Sequence, residues 1–217
     1  MCIRDSYITL DSVRKTYDDD STSTPVLNNI SLTVAKGEQI AVLGHSGCGK
    51  STLLNLISGI DYVDSGTITV GGVELTGLSE KDRTLFRRKH IGFVYQSFNL
   101  IQTLTAVENI QLPLQLNNFS TTEIKDKTNE ILERVGLENR AHAFPDQLSG
   151  GEQQRVAIAR AMVHSPSLVL ADEHTGNLDA DTGREMIQLF SELAESRKQT
   201  VLMAVSYTHL RAHETLR

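Results

Sequence analysis

The sequence predicts an α/β fold: a core of strands and helices, an antiparallel β region beside it, and a helical segment inserted into it. Three observations lead there. The apolar run Gln39-Ile40-Ala41-Val42-Leu43 enters a glycine-rich loop, and Ser51 to Ile60 leaves it with Leu53, Leu54, Ile57 and Ile60 at helical spacing. A second apolar run, Leu168-Val169-Leu170-Ala171, ends in two acids, Asp172 and Glu173. Between these, from about Phe98 to His164, helical texture replaces strand texture.

The elements follow in order. Tyr7 to Leu10, Ile30 to Val34 and Thr67 to Val70 alternate apolar and polar residues, as one-sided antiparallel strands do. Gln39 to Leu43 and Ile91 to Tyr95 read as buried strands. Ser120-x-x-Glu123 is a capping box. It opens a helix whose stripe of Ile124, Ile131, Leu132 and Val135 ends at Gly136. After the strand at Leu168 to Ala171, Met186, Ile187, Leu189, Phe190 and Leu193 share a helix face, and Thr200 to Val205 reads as a final buried strand. The expected domain is residues 7–205, with core segments 7–96 and 165–205 and a helical subdomain at 97–164.

A chain of 217 residues holds one or two domains and needs no disulfide or metal staple to form a core. Its two cysteines, Cys2 and Cys48, do not suggest a disulfide framework, which fits a reducing cytoplasm. The formal net charge is −6 and no lysine- or arginine-rich run stands out, so no nucleic-acid partner is expected. No apolar stretch approaches the roughly 20 residues that span a bilayer, and Met1 to Ser6 lacks the apolar core of a secretory signal. Work at a membrane would require recruitment by a partner.

The chemistry lies in the loops. Gly44-His45-Ser46-Gly47-Cys48-Gly49-Lys50-Ser51 meets every position of the phosphate-cradling pattern GxxxxGK[ST]. Its glycines let the backbone turn its N–H groups toward an anion, and the following helix aims its positive end the same way. Lys50 can bridge the β- and γ-phosphates, and the Ser51 hydroxyl can ligate Mg²⁺. Asp172, at the carboxyl end of its strand, suits Mg²⁺; Glu173 can orient and deprotonate an attacking water. Two solvated acids ending a strand are the bland alternative. Leu148-Ser149-Gly150-Gly151-Glu152 offers a second anion nest at a helix N-terminus, or simply a serine–glycine helix cap.

Together these motifs resemble the ATP-binding subunits of ABC transporters, from about Tyr7 to Ala204. The likeness rests on the phosphate loop, the lone Gln96 after a strand, the LSGGE run at Leu148 to Glu152, the acids Asp172 and Glu173, and Gly176-Asn177-Leu178-Asp179. Finer wording at Ile91 to Leu100, Leu104 to Asn109 and Leu112-Pro113-Leu114 is similar to the lipoprotein-releasing and macrolide-exporting branch. The resemblance implies a P-loop NTPase with a RecA-like core, an antiparallel β subdomain and an inserted helical subdomain. It implies ATP and Mg²⁺ as cofactors, a second copy of the chain clasping the nucleotide, and membrane permease subunits that hold the protein at the cytoplasmic face. ATP binding falls to Tyr17, stacked on adenine, and to Gly44, His45, Ser46, Gly47, Cys48, Gly49, Lys50, Ser51 and Thr52. Ser149, Gly150, Gly151 and Glu152 act on the partner's nucleotide, and Asp179 belongs to the D-loop. Ser51, Gln96 and Asp172 serve Mg²⁺; Glu173, Gln96 and Lys50 serve catalysis.

The chain departs from the family at two places. His174 replaces a proline after the catalytic acid, for which a modest loss of preorganisation and no change of mechanism is expected. After Ala204 the family carries a threonine–histidine pair. Here the first histidine, His209, arrives three residues late and would face the other way, so it is the weakest catalytic candidate. Residues 1–6 and 206–217 resemble translated adapter sequence and are expected to be non-native. The rival readings are a non-transport ABC ATPase of the cell-division type and a hydrolysis-impaired nucleotide-binding fragment. His90, His142 and His164 show no ligand spacing, and His45 contributes its backbone more than its ring.

Overall fold

The structure, a computed structural model, describes residues 6–19, 22–172 and 180–206. Strands β1 (Ser6–Asp19), β2 (Thr22–Ala35), β4 (Ser65–Val70) and β5 (Val73–Glu74) form an antiparallel sheet in the order β2-β1-β4-β5. Ile8 and Leu10 of β1 lie opposite Val70 and Ile68 of β4, and all four are buried. A register shift between Leu10 and Val13, with Ser12 at φ +53°, changes the alternation so that Val13 and Lys15 stay inward. Gly66 makes room for this bulge: at φ +87°, a Cβ there would stand 2.6 Å from the Ser12 carbonyl oxygen.

The second sheet is parallel, in the order β3-β8-β7-β6, with β3 at Gln39–Gly44, β6 at Ile91–Val94, β7 at Leu168–Asp172 and β8 at Thr200–Ser206. Its alternating residues feed two cores. Val169, Ala171 and Val201 join Met186, Phe190, Ala157 and Met162 on one side. Leu168, Leu170, Leu202 and Ala204 join Leu54, Ile57 and the inward residues of β1 and β4 on the other. Every residue of β7 from Leu168 to Ala171 is buried, which is why that run carries no polar alternation.

Helix α1 (Lys50–Ile57) follows β3, and α2 (Glu80–His90) links β5 to β6. Between β6 and β7 come α3 (Ala106–Leu116), α4 (Thr121–Arg134) and α5 (Gly150–Met162); α6 (Ala180–Ser196) precedes β8. Capping boxes start α3 at Thr105 with Glu108, α4 at Ser120 with Glu123, and α5 at Ser149 with Glu152. On α6, Met186, Phe190 and Leu193 are buried and Ile187 and Leu189 lie at the boundary, as their spacing predicts.

Two expectations are corrected. Gln39 to Leu43 is a strand, but not a buried one. Among the described residues it pairs only with β8; Gln39, Ala41 and Leu43 face outward, and Leu43 is 47% exposed. Helix α1 stops at Ile57 and does not run to Ile60. The Ser58 N–H closes it on the Leu54 carbonyl and the Gly59 N–H on the Leu56 carbonyl, Gly59 turns the chain at φ +68°, and Ile60 is left exposed. Helix α2 and the short β5 carry no periodic signal strong enough to announce them.

Candidate functional site

Parallel pairing brings the predicted loops to one edge. Gly44 lies level with Ser206, Asp172 with Ala204, and Val94 with Ala171, so β3, β6 and β7 all deliver their carboxyl ends there. The phosphate-loop pattern leaves β3, Asp172 ends β7, and Gln96 follows β6 as an exposed residue in a turn. One strand, β8, separates β3 from β7, a gap of roughly 10 Å between the loop's stem and the acid.

The loop is shaped by its glycines. Gly49 stands at φ +94° as the N-cap of α1, and a Cβ there would meet Val26 Cγ1 at 2.9 Å and the Val26 carbonyl at 3.1 Å. Strand β2 therefore buttresses the loop from the antiparallel sheet. Gly47 also has a positive φ, +79°, with open space around it. A methyl on Gly44 would collide with the Cys48 sulfur. No side chain caps the start of α1 and no acid sits in its first turn, so its N-terminal N–H groups face the loop with their dipole uncancelled.

Lys50 is only 6% exposed, and its ammonium donates to the Gly44 carbonyl at 3.1 Å and the His45 carbonyl at 3.0 Å. The cation is thus folded into the loop it serves. His45, Ser46, Gly47, Cys48 and Ser51 are exposed around it, and Thr52 is half-buried. All the described candidates for a metal offer oxygen: the Ser51 hydroxyl, the Asp172 carboxylate and the Gln96 amide. That donor set fits a hard divalent cation bridging phosphate oxygens.

Tyr17 lies at the far end of β1, 43% exposed, with its hydroxyl donating to Asp61 Oδ2 at 2.7 Å. Partial burial and that carboxylate push its phenol above the usual range. Burial also raises Asp61, but the Tyr17 hydroxyl, the Tyr62 N–H and Lys15 outweigh it and hold Asp61 below the usual carboxylate range.

The Leu148 to Glu152 run opens α5. Ser149 Oγ accepts the Glu152 N–H at 3.3 Å, and Glu152 Oε2 accepts the Ser149 N–H at 2.8 Å. Arg140 holds the other carboxylate oxygen of Glu152 at 3.1 Å. Glu152 is therefore occupied in shaping the turn, while Ser149 and Gly150 are exposed at the helix N-terminus. The Ser149 N–H, its hydroxyl and Arg140 together hold the Glu152 carboxyl below the usual carboxylate range.

Glu173, His174, Asp179 and His209 lie outside the described residues. Sequence reasoning missed Lys15, Asp61 and Arg160. Lys15 and Asp61 are 46 positions apart and meet only because β1 passes the loop after α1. Arg160 sits on α5, where it donates to the Phe98 and Asn99 carbonyls behind Gln96.

A family model described as ABC transporter matches residues 27–176. An uncharacterised ABC transporter ATP-binding protein of Mycobacterium tuberculosis is 47% identical over 97% of this chain and 85% of its own length. The lipoprotein-releasing system ATP-binding protein LolD of Psychrobacter arcticus is 48% identical over 90% of this chain and 87% of its own. Among solved structures, a dimeric ATP-binding cassette in a post-hydrolysis state with ADP and Pi is 40% identical, with a TM-score of 0.84 over 91% of this chain and 87% of that one.

Proposed function

The chain belongs to the ABC transporter family as an ATP-binding domain, and from that membership we propose that it binds and hydrolyses ATP to power export or release of a substrate through separate membrane subunits. The observation that carries this is the pairing of two anion sites on one chain. The phosphate loop at Gly44 to Ser51 folds around Lys50, and the second site at Ser149 and Gly150 stands open to solvent at the start of α5. One triphosphate needs both if two copies clasp it from opposite sides. Dimeric structures of a similar cassette support that arrangement, and relatives of the lipoprotein-releasing type support the transport role.

In this reading the loop amides and Lys50 hold the β- and γ-phosphates and stabilise the charge that spreads over the transferring phosphoryl group. A Mg²⁺ ion held by Ser51, Asp172 and Gln96 would neutralise phosphate charge. Glu173 orients the attacking water, and Ser149, Gly150 and Gly151 close on the γ-phosphate of the partner's nucleotide. Glu152 fixes their cap, and Asp179 is assigned to the D-loop. The domain divides into core segments 7–96 and 165–205 and a helical part at 97–164.

The membrane subunit would dock in the groove between α2, the segment after Gln96, and α3. It encloses about 610 Å³ and is lined by Arg87, Tyr95, Ile101, Leu112, Leu116 and Arg160. No described helix is long and apolar enough to cross a membrane. Attachment through such a permease would place the protein at the cytoplasmic face.

The test is Glu173→Gln in MgATP, followed by size-exclusion chromatography with light scattering. The variant should run as a dimer with ATP and as a monomer without it. A variant that stays monomeric in saturating ATP, beside a wild type that turns over normally, would refute the sandwich.

A further inference from the structure

We infer that Asp61 is a positioning residue for the nucleotide's base: it holds the Tyr17 hydroxyl so that the ring is fixed in one orientation. The inference rests on the reading of Tyr17 as the residue that stacks on adenine. A stacking residue on an exposed strand end would otherwise have to be ordered at the moment of binding, and ordering a side chain opposes affinity.

The geometry shows a fixed ring. Tyr17 donates to Asp61 Oδ2 at 2.7 Å, a charge-assisted bond. The other oxygen, Oδ1, accepts from Lys15 Nζ at 3.1 Å and from the Tyr62 N–H at 2.6 Å. Lys15 is 8% exposed, also donates to the Tyr62 carbonyl at 2.7 Å, and sits 5.0 Å from the centre of the Tyr17 ring. Two further bonds tie the same stretches together: the Thr16 N–H to Asp64 Oδ2 at 2.6 Å, and the Asp64 N–H to the Arg14 carbonyl at 3.0 Å. Residues 14–17 of β1 are thus stitched to residues 61–64. That second stretch follows α1, whose first residue is Lys50. The ring's orientation is therefore referenced to the phosphate loop through α1, and not only to its own strand.

A chemical consequence follows. The Tyr17 hydroxyl donates to Asp61 and accepts from Thr52, so both its proton and its oxygen are engaged within the protein. Its contribution comes through the face of the ring, and Asp61 sets which way that face points.

The experiment is calorimetric titration of the full chain with ATP and with inorganic tripolyphosphate, which lacks the base, together with steady-state MgATP turnover. The variants are Tyr17→Phe, Asp61→Asn, their combination, and Tyr17→Ala. Tyr17→Phe and Asp61→Asn should each weaken ATP binding about 3- to 10-fold, the range expected for one side chain released from a fixed rotamer. The combination should fall short of the product of the two single losses, because the Tyr17–Asp61 bond is common to both, while Tyr17→Phe also gives up the Thr52 contact and Asp61→Asn the charge facing Lys15. Tripolyphosphate affinity should not change, and turnover should show a raised KM with an unchanged kcat. If Asp61→Asn binds ATP as the wild type does while Tyr17→Ala is weakened, the positioning role is refuted and the stacking role stands. If Asp61→Asn weakens ATP and tripolyphosphate alike, Asp61 is merely structural and the inference again fails. If Tyr17→Ala leaves the ratio of the two affinities unchanged, the stacking reading itself falls.

Discussion

Arg160 on α5 donates to the Asn99 carbonyl at 2.7 Å, and its second terminal nitrogen reaches the Phe98 carbonyl at 2.9 Å. Phe98 and Asn99 are both non-glycine residues at positive φ, +54° and +51°, so this stretch does not hold its shape by backbone preference. The helix that Ser149 caps thereby grips the segment that follows Gln96. Arg160→Ala should lower unfolding stability by about 2 kcal/mol, the scale of hydrogen bonds to a charged group, and should speed proteolysis near residue 99. Arg160→Lys should recover only part of this, because an ammonium lacks the planar fork. Denaturant melts and timed limited proteolysis check both. An alanine variant with wild-type stability and cleavage rate would show that the clamp is incidental.

Cys48 is a free, exposed thiol inside the phosphate loop, and its sulfur occupies the space a side chain on Gly44 would need. A bulky adduct there has no room inside the loop. Alkylation with N-ethylmaleimide should abolish ATP binding, MgATP should slow the labelling, and Cys48→Ala should be immune while retaining ATP binding. The rate of adduct formation by mass spectrometry, with and without MgATP, is the measurement. Equal labelling rates in the two conditions would place the thiol away from bound phosphate.

The sequence made some elements legible and hid others, for physical reasons. Strand β7 could be read because both its faces are covered, α4 because serine and glutamate mark its start three residues apart, and the start of α5 from its serine–glycine–glycine turn. Strand β3 is less buried than its apolar run suggests, because among the described residues it is paired on one side only. The phosphate-loop pattern and the serine–glycine turn are legible because each is a run of consecutive residues. The Lys15–Asp61–Tyr17 cluster and the Arg160 clamp were not, because their partners lie 44 to 62 positions apart and no local spacing records them.

His164, at the end of α5, is held neutral. Burial is the main cause, the Arg197 charge adds to it, the Ile91 backbone works against it, and the net pKa falls to about 4. A histidine whose folded pKa lies below its unfolded value stabilises the protein above the unfolded value, near 6.5. That stability drains away as pH falls toward the folded value. Between about pH 6.5 and pH 4 the loss should approach 1.4 kcal/mol per pH unit, or roughly 3 kcal/mol in all. His90, also lowered by burial and by Lys89, acts in the same direction. Urea melts across this window should flatten in His164→Gln relative to the wild type. Parallel pH curves for the two proteins would exclude His164 as the acid-sensitive group.

The trans arrangement makes a prediction that no single-subunit site can satisfy. Lys50 lies in the phosphate-loop pattern, and Ser149 caps α5 at the proposed second anion site. If each ATP is held by Lys50 of one copy and Ser149 of the other, Lys50→Ala and Ser149→Ala should each be inactive alone, and mixing them should restore activity. In a mixed pair one site carries both substitutions, and the other has an intact Lys50 facing an intact Ser149. At equal concentrations about half the pairs are mixed, and each has one good site in two. Roughly a quarter of the wild-type sites should therefore return. Ser149→Ala also removes a helix cap worth about 1 kcal/mol, so its fold should be checked by thermal melting before mixing. A site built within one subunit predicts no recovery at any mixing ratio. ATP turnover measured against the mole fraction of each variant separates the two: a curve that peaks at equal amounts supports the clasp, and a flat baseline excludes it.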